Sequence, residues 1–183
     1  MLYTGKGDDG NTNIFGCCDQ RISKSSAVAE ALGDLDELNS FLGICKVKSK
    51  DDDILVNGES SQDIIDDIQQ NLFIIQAEVA GGDKKISEEK IKEAENIIAT
   101  IEKELPPIKN FFVSGGAELS ALFDFSRTIA RRAERKVVEA KEEGKVKISP
   151  NTLTYLNRLS SLLYAMARIV NYRLGLEEKS PRY

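Results

Sequence analysis

Apolar side chains recur three or four residues apart along five stretches of this chain, separated by polar or glycine-rich segments. From about residue 25, Val28, Leu32, Leu35, Leu38, Leu42 and Cys45 mark one face of an amphipathic helix. The period resumes over 61–80 with Ile64, Ile68, Leu72, Ile75 and Val79, and Gly81-Gly82 stops it. Ser87 opens a third helix carrying Ile91, Ala94, Ile97, Ile98, Ile101 and Leu105. Pro106-Pro107 ends it, because proline cannot continue the backbone hydrogen bonds. A fourth helix runs from about Ala117 to Glu143 with Leu119, Leu122, Phe123, Ile129, Ala130, Ala133 and Val137, and Gly144 is its C-terminal stop. Ser149-Pro150 opens the fifth, with Leu153, Leu156, Leu159, Leu163, Met166 and Val170; proline is tolerated in a first turn.

Three segments lack that period. Residues 1–24, with Gly5, Gly7, Gly10 and Gly16, read as an ordered loop or a short hairpin. Residues 46–60 are charged, contain the turn signal Asn57-Gly58, and are expected to form a solvated connection. Residues 108–116 form a short aromatic loop closed by Gly115-Gly116. The spacing predicts an all-α five-helix bundle over 25–175, preceded by the 1–24 loop and followed by a tail at 176–183.

Composition narrows the function classes. The 183 residues suit one domain, and 41% hydrophobic with 30% charged residues describes a soluble globular chain rather than a disordered one. The net charge of -5 argues against a nucleic-acid partner, which needs a basic surface. No apolar run is long enough to suggest a membrane span. Histidine is absent, which removes His-based metal sites and Ser-His or Cys-His dyads. The three cysteines, Cys17, Cys18 and Cys45, are too few and wrongly spaced for a zinc site. They are read as free thiols. An odd count with a polar N-terminus leads to the expectation of a cytoplasmic protein.

Five stretches could carry chemistry. In Tyr3-Thr4-Gly5-Lys6-Gly7-Asp8-Asp9-Gly10, glycines would let backbone N–H groups approach an anion, beside the Thr4 hydroxyl and the Lys6 charge, or the stretch is an ordinary polar turn. Residues 127–136 hold five basic residues and one acid, and Arg127, Arg131 and Arg135 share one helical stripe suited to a polyphosphate, or to pairing with acids on neighbouring helices. In Gly33-Asp34-Leu35-Asp36-Glu37-Leu38-Asn39, Asp36 lies at the edge of the apolar face, either as a catalytic carboxylate or as an arginine's partner. Asn157 could meet a ligand oxygen or a hydrated Mg²⁺, or bridge two helices. Phe111-Phe112 before the glycine pair could wall an apolar pocket, with at least one ring plugging the core.

Taken in order, YTGKGDDGNTNIFG, Lys24, LGDLDELNSFLG, FFVSGG, SRTIARRAERKV and YLNRLSSLLYAMAR resemble the PduO-type ATP:cob(I)alamin adenosyltransferases over nearly the whole chain. The resemblance implies a single adenosyltransferase-like helical domain that assembles as a homotrimer with active sites between subunits. It implies that Thr4, Gly5, Lys6, Gly7 and Asp8 wrap ATP. Lys24, Arg131 and Asn157 would contact its triphosphate and Mg²⁺, with Arg132 and Glu134 shaping that site. Asp36 and Arg127 match residues that form a salt bridge across the subunit boundary near the corrinoid. Phe111 matches the aromatic that holds the corrin with its lower axial position empty. Arg131, Asp36 and Arg127 are therefore the expected catalytic set. Ser114 departs from the proline usual before the glycine pair, Ser161 from a frequent acid, and Val28 from a polar or basic residue.

The implied reaction moves the 5′-deoxyadenosyl group of ATP to cob(I)alamin. Cobalt(I) carries no proton, so no general base is needed and a chain without histidine can serve. The resemblance also implies a cobalamin reductase and an adenosylcobalamin-dependent enzyme as partners. Two other readings are a non-catalytic ATP or corrinoid carrier or sensor, and a helical adaptor whose charged motifs are all interhelix ion pairs.

Overall fold

A computed structural model describes residues 3–14, 21–51 and 54–183, and five helices form the frame of the described residues. Strands β1 (Asn11–Asn13) and β2 (Arg21–Ser23) pair antiparallel, with Asn11 opposite Ser23. Helix α1 (Ala27–Lys48) follows. Strands β3 (Leu55–Val56) and β4 (Glu59–Ser60) form a second small hairpin, and helices α2 (Ser61–Val79), α3 (Glu88–Glu104), α4 (Glu118–Glu142) and α5 (Pro150–Arg173) complete the chain. Cys17 and Cys18 lie outside the described residues.

Three of the helices begin at a serine cap. Ser26, Ser60 and Ser149 each accept a backbone N–H from the first turn of α1, α2 and α5. Helix α4 packs against α1 on one side and α5 on the other, α3 lies on α5, and α2 lies on α1. The layer closes through Asn71 of α2, which donates to the buried Tyr155 hydroxyl of α5 at 3.0 Å. Burial pushes the Tyr155 phenol well above its ordinary range. The predicted apolar stripes form one continuous core, including Leu35, Leu38, Leu42, Phe123, Leu159 and Leu163. Leu32 and Leu153 sit at its margin, half-buried.

The expectation of a solvated connection over 46–60 needs correction. Helix α1 continues through Lys48, and Ile54 and Val56 are buried while Leu55 between them is exposed. That alternation is the two-residue period of a strand. Asn57 (φ 55) and Gly58 (φ 86) both take the left-handed region that a tight hairpin turn requires. Buried Ser61 closes the hairpin base, accepting from Ile54 N at 3.1 Å and donating to Ile54 O at 3.0 Å.

The last residues are also more ordered in their contacts than a tail. Glu178 pairs with Arg168 of α5, and Val113 N donates to Lys179 O at 2.8 Å. The 177–179 segment therefore runs alongside the aromatic loop.

Candidate active site

The N-terminal loop is drawn together by two cations. Lys24 donates from its backbone N to Gly10 O at 2.9 Å and from Nζ to Gly7 O at 2.7 Å. A Cβ at Gly7 would stand 3.1 Å from that Nζ, so the glycine lets the lysine cross the loop closely. Arg21 forks onto Asp9, at 2.9 Å from Oδ2 and 2.8 Å from Oδ1, and also reaches the Lys6 carbonyl. The Asn11 backbone N–H and then the Arg21 guanidinium hold the Asp9 carboxyl below its usual range. Thr4 Oγ1 accepts from Lys6 N at 3.4 Å. Thr4, Gly5, Lys6 and Asp8 are thus shaped into one exposed turn, and Gly7 is half-buried under Lys24.

A second group gathers between α4 and α5. Arg131, Glu134, Arg135 and Asn157 line one open cleft of about 680 Å³. Asn157 Nδ2 donates to Glu134 Oε1 at 3.3 Å, and Arg158, held by Glu95 at 2.8 Å, donates to Asn157 Oδ1 at 3.1 Å. The amide is oriented from both sides. Arg131 is exposed and takes no salt-bridge partner among the described residues, while its carbonyl accepts from Arg135 at 3.1 Å. No group of three or more His, Cys, Asp or Glu side chains is placed to hold a metal among the described residues. Glu134 and Asn157 offer hard oxygens of the kind that suits a cation bringing most of its ligands from phosphate and water, although Asn157 Oδ1 accepts from Arg158 here.

The remaining expected residues lie apart from one another, on the α1–α4 seam, on the α1–α2 side and in the aromatic loop. Arg132, the neighbour of Arg131, turns to α1 and bonds Asp34 at 3.2 Å and Glu37. Arg127 bonds Asp124 on its own helix at 3.1 Å and lies 5.7 Å over the Tyr164 ring. Asp36 is exposed beside Leu32 and Phe73, in an apolar hollow separate from the one Arg127 lines. Phe111 is 81% exposed, whereas Phe112 is half-buried with Arg168 5.3 Å above its ring.

Residues 2–170 match the cobalamin adenosyltransferase family. The chain belongs to that family. It is 37% identical over 174 residues to the corrinoid adenosyltransferase PduO of Citrobacter freundii, covering 91% of this chain and 49% of the relative. It therefore spans about half the length of that protein. It is 36% identical to a Bacillus subtilis corrinoid adenosyltransferase, covering 96% of this chain and 89% of the relative. Among solved structures, an alanine variant of the PduO-type ATP:corrinoid adenosyltransferase from Lactobacillus reuteri, complexed with cobalamin and ATP, superposes with a TM-score of 0.88 at 30% identity, covering 100% of both chains. A lysine variant of the same enzyme complexed with ATP gives 0.85 at 29% identity, covering 99% of this chain and 100% of that one.

Within this family chain the expected residues fall into three sets. Thr4, Gly5, Lys6, Gly7, Asp8 and Lys24 share the N-terminal loop, Arg131, Glu134 and Asn157 share the α4–α5 cleft, and Phe111 lines a hollow with Ser180, Pro181 and Tyr183 that Arg127 does not reach. Arg132 lies apart from the cleft, because a residue one position on points about 100° around the helix. The arginine-paired acids of the GDLDELN stretch are Asp34 and Glu37 rather than Asp36 within one chain. Sequence reading missed Asp124, Tyr164, Arg168, Asn171 and Glu178. Only Asp124 left a legible signal, its i,i+3 spacing from Arg127. The others depend on which turns of α5 meet the aromatic loop.

Proposed function

We propose that this chain transfers the 5′-deoxyadenosyl group of ATP to cob(I)alamin, yielding adenosylcobalamin and triphosphate. The observation that carries the reading is the cleft in which Arg131, Glu134 and Asn157 converge, in a chain that shares its whole fold with an enzyme variant complexed with cobalamin and ATP. The cobalt(I) electron pair forms the Co–C5′ bond as the C5′–O bond breaks, and that bond's electrons leave on triphosphate. No proton moves in this step, consistent with the absence of histidine.

The protein's task is then electrostatic and geometric. Arg131 stabilises charge growing on the departing triphosphate, and Lys6 and Lys24 meet the remaining phosphates. Asn157 and Glu134 would hold Mg²⁺ delivered with ATP, which supplies further neutralisation of the leaving group. Arg132 supports this site indirectly by fixing α4 against α1. Phe111 covers the lower face of the corrin.

The distribution of these residues supports a homotrimer with sites between subunits. Asp36, Ile44 and Val47 share a stripe of α1; Ile44 and Val47 are half or more exposed, as is Phe125, which packs edge-on to Phe41. We infer that a second copy covers this face, bringing Asp36 to a neighbour's Arg127. A reductase and an adenosylcobalamin-dependent enzyme remain the expected partners, and the cysteine usage supports a cytoplasmic location. No helix among the described residues is long and apolar enough to cross a membrane.

An anaerobic assay tests the reading. The protein, Mg-ATP and chemically reduced cobalamin are expected to give a light-sensitive alkylcorrinoid and an equal amount of triphosphate. Tight binding of ATP without triphosphate release would instead identify a carrier or sensor.

A further inference from the structure

Three parts of the chain that are distant in sequence meet at one buried guanidinium. Arg168 of α5 is 6% exposed. Glu178 grips it with both carboxylate oxygens, at 2.9 and 3.0 Å from Nε and 2.8 Å from a terminal nitrogen. The same side chain donates to the Pro106 carbonyl at 3.3 Å, just before the aromatic loop, and stacks 5.3 Å from the Phe112 ring within it. One residue beyond Glu178, the Lys179 carbonyl accepts Val113 N at 2.8 Å. One turn beyond Arg168, Asn171 donates to Gly115 O at 2.9 Å and accepts Ala117 N at 3.0 Å. Gly116 (φ 109) admits this contact, since a Cβ there would stand 2.4 Å from Asn171 Oδ1.

The loop is thus fixed before, within and after Phe111, although the Phe111 ring itself is exposed. It lines a hollow of about 570 Å³ whose other wall is Ser180, Pro181 and Tyr183. A buried ion pair is a weak way to add stability, because desolvation offsets much of the attraction. A bidentate pair does impose direction, since both partners are planar and must align. Its place at the crossing of loop and C-terminal segment suits a geometric role.

We propose that Arg168 and Glu178 are positioning residues which, through Phe112 and the Val113 amide, set the orientation of the Phe111 ring. The assignment rests on the corrinoid reading of Phe111 given above. Neither residue touches the reacting atoms, so the expected signature is selective for one substrate.

The test uses the full chain and Glu178→Gln, which keeps the shape and removes the charge. Without any ligand, hydrogen exchange at the Val113 amide is expected to quicken about tenfold while the core amide of Leu162 stays unchanged. With substrates, the KM for cob(I)alamin is expected to rise about fivefold and the KM for ATP to stay within about twofold. Glu178→Asp, which keeps the charge, is expected to retain most of the protection. Unchanged exchange at Val113 would overturn the clamp. Faster exchange everywhere with equal loss for both substrates would overturn it too, by showing that the pair holds the whole fold. A wild-type chain that transfers no adenosyl group would remove the corrinoid reading and the positioning role, while the exchange data still report whether Glu178 holds the loop.

Discussion

The α1–α4 seam and the α4–α5 cleft are built from adjacent residues of one helix, yet they treat their arginines in opposite ways. In the seam, Arg132 meets Asp34 and Glu37, so its charge is answered inside the chain. In the cleft, Arg131 has no ion-pair partner among the described residues, and the nearby Glu134 is engaged with Asn157. A basic run in a sequence is thus not one feature. The helix turn divides it into a part that joins two helices and a part without an ion-pair partner among the described residues.

The largest expected effect falls in the cleft. Arg131→Ala should lower kcat about 10²- to 10³-fold, the usual loss when a charge-stabilising donor is removed from a transition state. Its thermal midpoint should stay close to wild type, because an exposed side chain without a partner contributes little to folding. Triphosphate release measured beside a melting curve checks both halves. Turnover that survives unchanged would remove Arg131 from the leaving-group role.

The next effect is smaller and concerns Asp36, which lies outside both regions and takes no salt-bridge partner in its own chain among the described residues. Asp36→Asn should raise the KM for corrinoid about tenfold, equivalent to about 1.4 kcal/mol, with the KM for ATP within about twofold. Equilibrium sedimentation alongside the kinetics separates the alternatives. Equal loss of both substrates with dissociation of the assembly would assign Asp36 to the subunit contact alone.

The frame of this bundle was legible because every helix shows apolar spacing and most carry a start or stop signal at one end. Ser26, Ser149 and Pro150 start helices where the pattern predicts, and Gly144 follows the end of α4. The β3–β4 hairpin was hidden because only Ile54 and Val56 alternate, too short a run to compete with the surrounding charge. At the site, the cleft residues Arg131, Glu134 and Asn157 were readable as motifs, and their facing positions follow from helical packing. The choice between Asp34, Asp36 and Glu37 as the arginine's partner was not readable, since three acids in four residues scatter around the helix and only the place of α4 selects among them. The Arg168–Glu178 pair was equally silent, because it depends on the chain reversing at Gly175 (φ 68) and returning to α5.

The smallest effect belongs to the seam, and it sharpens the contrast by reversing the Arg131 phenotype. Arg132→Gln leaves Asp34, 16% exposed, without its cation, whereas Glu37 can turn to solvent. Because Arg132 is itself 42% exposed, screening keeps the loss to about 1 kcal/mol. For a chain of this size that lowers the midpoint by about 2–4 °C at fixed protein concentration. The deficit should shrink in 1 M salt, where the Debye length is about 3 Å and the wild-type pair is weakened as well. Adenosyl transfer by this variant should remain within about threefold of wild type, since the arginine secures α4 from the side away from the cleft. A fall in turnover as deep as that of Arg131→Ala, with no change in melting, would place Arg132 among the ATP contacts and erase the distinction between the two faces.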